Sequence, residues 1–394
     1  MISDTGTPRR PADPQSPLGR LWAFIVSLDK LQIGTTLFIC GVGLVFIYSV
    51  GMQQQPGRGT VAFWRQLAWL GVGMIAYVLC ALPDPRNSRF RVISFFFYLV
   101  TLVLLVALLV PGVGIRMNGA CRWLGVGTIR IQPSEFAKLG LILALATLFS
   151  SMMFNVNRPG GILTGVALTL IPFVLIAKEP DLGSALVCLP IFLAMIFCAG
   201  LKWRYIVCGV IIVAVLGSAI VLNETTGSRP LLTDYQRARI NTFLHPDADR
   251  AGSGYNAYQA KLAVGSGGVT GKGIGAGTQN PLGFLPTSVA NNDFIFSVIA
   301  EEEGFFGSLA LLCGYLLLVY SILRTAFIAE DAFGRSLCVG VATLIFTHMF
   351  INIGMNIGVM PITGLPLPLV SYGGSFTVVA LASLGMVQAV HRHR

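Results

Sequence analysis

Charge is what this sequence is short of. Of 394 residues, 11% are charged and 54% are hydrophobic, against roughly 25% charged in an ordinary soluble domain. Acidic residues are the scarcer sign, with 17 Asp and Glu against 27 Lys and Arg, for a net charge of +10. So little polar surface cannot coat a soluble particle, which excludes a soluble enzyme, a coiled coil and a disordered chain. Histidine is nearly missing, with four in the whole chain, and no zinc spacing or Ser-His-Asp arrangement occurs. There are eight cysteines but no CxxC pair, and all except Cys121 lie in or beside apolar runs. They read as small buried hydrophobes, not as a disulfide framework.

What the chain has in quantity is apolar length. An uninterrupted apolar stretch of about 17–25 residues crosses a bilayer as a helix. Roughly ten such crossings are expected, at about 33–52, 66–83, 92–111, 136–154, 160–177, 182–200, 204–222, 304–326, 336–359 and 368–390. The fold class is therefore an all-α integral membrane protein, a polytopic bundle of about ten transmembrane helices. Residues 1–32 read as a polar tail with no cleavable signal peptide, and 33–394 as one membrane domain. The surplus of Lys and Arg falls on one set of ends, among them Arg9, Arg10, Arg86, Arg89, Lys202, Arg324 and Arg392. That asymmetry places both termini in the cytoplasm and accounts for the basic charge without a nucleic-acid partner. A single large extracytoplasmic loop remains, at about 223–303, long enough to be functional.

Four polar constellations lie at the outer face. The first runs from Arg122 and Trp123 to Gln132-Pro133-Ser134-Glu135-Phe136-Ala137-Lys138. Pro133 suits the first turn of a helix, on which Glu135 and Lys138 share a face. This is either a self-neutralising ion pair or a cavity in which Arg122 and Lys138 meet an anionic headgroup. The second is Lys178-Glu179-Pro180-Asp181, where Asp181 has a plain alternative as a helix cap. The third, Pro361 to Ser375, holds Gly364, Pro366, Pro368 and Ser371, helix breakers that suit a kinked hairpin or the wall of a wet cavity. The fourth closes the long loop with Gly265-Ser266-Gly267-Gly268, Gly271-Lys272-Gly273 and Asn291-Asn292-Asp293-Phe294. Those glycines lack the ending of a phosphate-binding loop. Asp293 is a carboxylate at a polar–apolar boundary, a catalytic candidate or else a cap on the eighth span.

In this order the motifs resemble the SEDS family (shape, elongation, division and sporulation), over about Ile33 to His393. Arg122-Trp123-Leu124, Gln132 to Lys138, Pro180-Asp181-Leu182-Gly183 and Tyr235-Gln236-Arg237-Ala238-Arg239 carry the likeness. So do Gly252 to Tyr255, Asp293-Phe294-Ile295-Phe296, Ala300-Glu301-Glu302 and Gly364 to Gly374. Gly277-Thr278-Gln279, Asn352-Ile353-Gly354-Met355 and the His391 to Arg394 ending point to the elongation branch instead of the division branch. The family pattern departs at Thr287 to Asn292, which looks two residues longer, and at Glu179, which replaces a common glutamine.

The resemblance implies a peptidoglycan glycosyltransferase of the bacterial inner membrane, polymerising lipid II beside a class B penicillin-binding protein and other elongation-complex membrane proteins. Asp293 takes the catalytic role. Arg122, Glu135, Lys138, Asp181, Lys272 and Ser371 are expected to bind substrate. A sugar hydroxyl attacking an anomeric carbon needs a base, and the departing pyrophosphate needs positive charge. Arg122, Lys138 or a divalent cation (Mg or Mn) would supply that charge, and no other cofactor is expected. The rival readings are a lipid II flippase and a scaffold without chemistry.

Overall fold

The computed structural model describes residues 24, 26–54, 60–117, 120–126, 129–151, 156–226, 237, 239, 242–244 and 254–394. Most of the N-terminal tail lies outside them, as do Tyr235, Gln236, Ala238, Gly252 and Ser253 of the quoted motifs. Among the described residues, ten long helices stand against the ten crossings expected. They are α1 (Lys30–Gln54), α2 (Thr60–Ala81), α3 (Ser88–Leu109), α4 (Pro133–Phe149), α5 (Pro159–Lys178), α6 (Leu182–Cys198) and α7 (Trp203–Thr226). After the shorter α8 (Tyr255–Ser266) and α9 (Thr287–Ala290) come α10 (Ile295–Ile328), α11 (Ala332–Ile357) and α12 (Gly374–Arg392). Seven of these, α1, α2, α3, α5, α10, α11 and α12, are long and apolar enough to span a bilayer by length and composition.

The bundle is apolar outside as well as inside. α3 turns Val92, Ile93, Phe96 and Val103 outward, while Tyr98, Thr101 and Leu105 face its neighbours. In lipid such a surface carries no penalty, so helix contacts come from packing and polar ties. α2 packs on α12, α3 on α4, and α10 on both α1 and α11. At one end, Asp29 accepts from Ser321 Oγ at 2.7 Å and Arg324 Nη2 at 2.9 Å, and Gln32 donates to Leu384 O at 2.8 Å. These bonds fasten α1, α10 and α12 together. Local chemistry sets the helix limits: Pro133 opens α4, Asp331 caps α11 by accepting from Gly334 N at 3.2 Å, and Gly358 ends it in the left-handed region.

The expected all-α membrane bundle is borne out, and two span boundaries within it need correction. It carries one small sheet besides: β1 (Ile115–Met117), β2 (Ala120–Val126) and β3 (Ile129–Ile131) pair antiparallel in the order β1-β2-β3 between α3 and α4. It is a short meander of the polar link, where no apolar face required a helix. The eighth span begins at Ile295, not near 304, so the long loop before it is shorter than 223–303. Glu301 and Glu302 hid that first part from a hydropathy reading; both are buried, and the helix kinks after them at Gly304, φ 66°. The described part of the loop holds α8 and α9. The tenth span begins at Gly374, and the residues from Met360 to Gly373 form no helix.

That irregular segment is embedded in the bundle, so its backbone must find partners in protein. Leu365 O receives Asn352 Nδ2 at 2.8 Å, and Pro368 O receives the Tyr315 hydroxyl. Pro366 O lies 3.3 Å from His348 Nδ1. Leu367 N donates to Ser371 Oγ at 2.8 Å. The helix breakers are thus held by polar side chains on α10 and α11.

Candidate active site

Asp293 stands in the turn between α9 and α10. Three successive carbonyls of this turn are gripped from elsewhere. Tyr372 N donates to Asn291 O at 2.9 Å, Ser371 Oγ to Asn292 O at 2.5 Å, and Asn352 and Asn356 amides to Asp293 O at 2.9 and 3.1 Å. The residues from Thr287 on, which look longer than the family pattern, are wound into α9. Val289 O then receives the backbone N–H of Asn292, Asp293 and Phe294. The N-cap of α10 is Phe294, without a side-chain cap bond. The plain alternative for Asp293, a helix cap, is therefore not what its side chain does.

The carboxylate faces charge of both signs. Gly364, at φ 75°, runs so close that a Cβ there would stand 3.5 Å from Asp293 Oδ2 and 3.4 Å from Arg239 Nη2. Arg239 is held by its bond to Thr363 O at 2.7 Å. Asp293 is half-buried, yet its carboxyl is deep enough for lost hydration to dominate. Burial pushes it up to about 6, with Asp181 adding to the rise while Arg239 and Arg122 oppose it. A carboxylate so tuned has the chemistry to accept a proton near neutral pH.

Across from it, Arg122 on β2 wraps the turn between α5 and α6. Its Nε donates to Glu179 O at 3.2 Å and its Nη2 to Pro180 O, and Nη1 lies 3.8 Å from Asp181 Oδ1. Asp181 does cap α6, accepting from Ser184 N at 3.2 Å, and it also takes Gln132 Nε2 at 3.2 Å. Cap and site are one residue here. The arrangement sets two guanidinium groups and two carboxylates at one end of the bundle.

The other expected site residues are placed differently. Glu135 and Lys138 are enclosed: Lys138 Nζ lies 2.7 Å from Glu135 Oε2 and 2.9 Å from His348 Nε2, and 5.4 Å from the Phe376 ring centre. Lys138 has no exposed surface, so it is an intramembrane ion pair and not an open headgroup contact. Lys272 belongs to a separate cluster. Its Nζ lies 2.6 Å from Glu301 Oε1, which also accepts from Thr278 N and Oγ1. Ser371 is spent on the Asp293 turn. Sequence reading did not single out Arg239 or the amides of Asn352 and Asn356 as site residues. The available signal was two asparagines four apart on one face of an apolar helix. Among the described residues no three His, Cys, Asp or Glu side chains group as metal ligands.

A family model described as cell cycle protein, covering FtsW, RodA and SpoVE, matches residues 30–394. The chain belongs to this family. The SEDS resemblance is borne out over the same length. Peptidoglycan glycosyltransferase MrdB of Escherichia coli (strain K12) is 37% identical over 368 residues, 93% of this chain and 95% of its own. A chain of a structure described as "Structural coordination of polymerization and crosslinking by a peptidoglycan synthase complex" matches with TM-score 0.75 and 32% identity, covering 93% of this chain and 98% of that one. Rod shape determining protein RodA of Thermus thermophilus matches with TM-score 0.67 and 30% identity, over 93% and 97%. As a family member with these helices, the chain is a multi-pass membrane protein.

Proposed function

We propose that this chain is a peptidoglycan glycosyltransferase that polymerises lipid II at the outer face of the bacterial inner membrane, with both termini cytoplasmic. The observation that carries the reading is Asp293, a carboxylate tuned near neutrality between Arg239 and Arg122. A hydroxyl of the acceptor sugar gives its proton to Asp293 as its oxygen bonds the donor's anomeric carbon. The bond from that carbon to the pyrophosphate breaks, and undecaprenyl pyrophosphate leaves with the electron pair. Single displacement inverts an α-linked donor into a β-linked product. Arg122 and Arg239 meet the charge that develops on the leaving group. A divalent cation finds no ligand cluster among the described residues, and no step is assigned to one.

A class B penicillin-binding protein, with other membrane proteins of the elongation complex, is the expected partner. The likeness to a chain of a peptidoglycan synthase complex supports it. A flippase would instead need a polar path through the bilayer, whereas the intramembrane charges of Glu135 and Lys138 neutralise each other. The test is polymerisation of labelled lipid II by the purified chain, with and without its penicillin-binding protein. Glycan strands that lengthen with time support the reading; lipid II translocated but never polymerised, with the partner present, overturns it.

A further inference from the structure

Glu179 closes α5 where the chain turns into α6, with 2% of its surface exposed. Neither of its carboxyl oxygens has a hydrogen-bond partner. An ionised carboxylate in that position would be severely under-solvated, so the group stays protonated instead. Arg122 donates to the main-chain oxygens of Glu179 and Pro180 and approaches Asp181, so the guanidinium and the buried acid share one turn.

The charged groups around Glu179 are few. Lys178 and Asp181 flank it in the chain, and Arg122 faces it from β2. Beyond them, Asp293 interacts with Asp181, Arg122 and Arg239. Glu135 lies within reach of Asp181 but is matched by Lys138. With Glu179 protonated, two guanidinium groups balance Asp181 and Asp293. Ionising it adds one negative charge beside Arg122, where a diphosphate would need positive charge.

We propose that Glu179 is the acid of a diphosphate subsite: protonated, it donates its O–H to a phosphate oxygen and adds no negative charge against Arg122; ionised, it repels the anion. This rests on the diphosphate-releasing reaction above. Burial pushes the Glu179 carboxyl up to about 8, with Asp181 adding to the rise and Arg122 opposing it. The loss of binding therefore falls on the alkaline side of neutrality.

Farnesyl diphosphate is the probe, titrated onto the full chain in nanodiscs from pH 6.5 to 9.5, with folding checked at each pH by circular dichroism. Wild-type affinity should fall about tenfold between pH 7 and pH 9, following the protonated fraction. Glu179→Gln, which keeps a donor but cannot ionise, should hold its affinity within about twofold over that range. Glu179→Asp, still an acid, should restore the alkaline loss. An equal fall in wild type and Glu179→Gln, or a flat wild type, overturns the proposal. Alkaline loss of binding in a chain that never polymerises lipid II would leave this subsite standing and remove the glycosyltransferase reading. Polymerisation with a flat profile would do the reverse.

Discussion

The side-chain amide of Asn352 donates to the main-chain carbonyl of Asp293 at 2.9 Å, so the turn that carries the candidate base is fastened to the interior of α11. The same amide reaches Leu365 O at 2.8 Å, on the irregular segment that passes Asp293. One fully buried asparagine therefore spaces the two walls of the site.

Asn352→Ala should displace Asp293 without touching substrate. Asn356 still holds the carbonyl at 3.1 Å, so the turn survives in a looser form. We expect kcat for lipid II polymerisation to fall by about 10–100-fold, the usual cost of a small misplacement. KM should stay within about twofold, because binding groups are untouched. A rise in KM at constant kcat would make Asn352 a binding residue instead.

Asp293→Asn keeps size and hydrogen-bonding capacity but removes the base. Polymerisation should fall by about 10²–10⁴-fold in folded protein. In wild type the rate at saturating lipid II should climb as pH rises through about 6, where Asp293 gives up its proton, and reach its plateau near neutral pH. Arg239 favours the charged carboxylate, so Arg239→Gln should move that limb to higher pH. A limb that stays put or moves down in Arg239→Gln would remove Arg239 from the base's surroundings.

Lys272→Met separates substrate binding from scaffolding. Glu301 keeps Thr278 N at 2.8 Å and Thr278 Oγ1 at 2.9 Å, so the loop is weakened and not undone. Stability should drop by about 1–3 kcal/mol, the cost of losing one partner of a buried charged group. Farnesyl diphosphate affinity should be unchanged. Lost affinity with an unchanged melting temperature would return Lys272 to the substrate site.

Orientation is testable with thiols, after Cys208 and Cys313, which are exposed, and Cys121 of the polar link are replaced by Ser. Leu282→Cys, at a position 65% exposed, should react with an impermeant reagent added to intact spheroplasts. Glu330→Cys, whose native side chain is 71% exposed, should react only after lysis. The opposite pattern would turn the site toward the cytoplasm, away from lipid II exposed on the outer face.

Sequence by itself determined the ten helices, because apolar length is a local property that each segment carries alone. Motif order also singled out Asp293, Arg122 and Asp181 as candidates, although nothing local said that the fold brings them to one end of the bundle. Hydropathy misplaced the start of α10 because Glu301 and Glu302 read as loop; their partners, Lys272, Thr278, Ser49 and Gln53, come from distant stretches of chain. The fate of each charge was likewise decided only in three dimensions. Glu135 and Lys138 are three residues apart on α4, yet His348 and Phe376 enclose them, from α11 and α12. Arg239 stood in a family motif without an assigned role until Thr363 and Gly364 brought it beside Asp293. Whether a charged side chain becomes structure or chemistry depends on which groups surround it, and in a bundle those groups come from helices far apart in sequence.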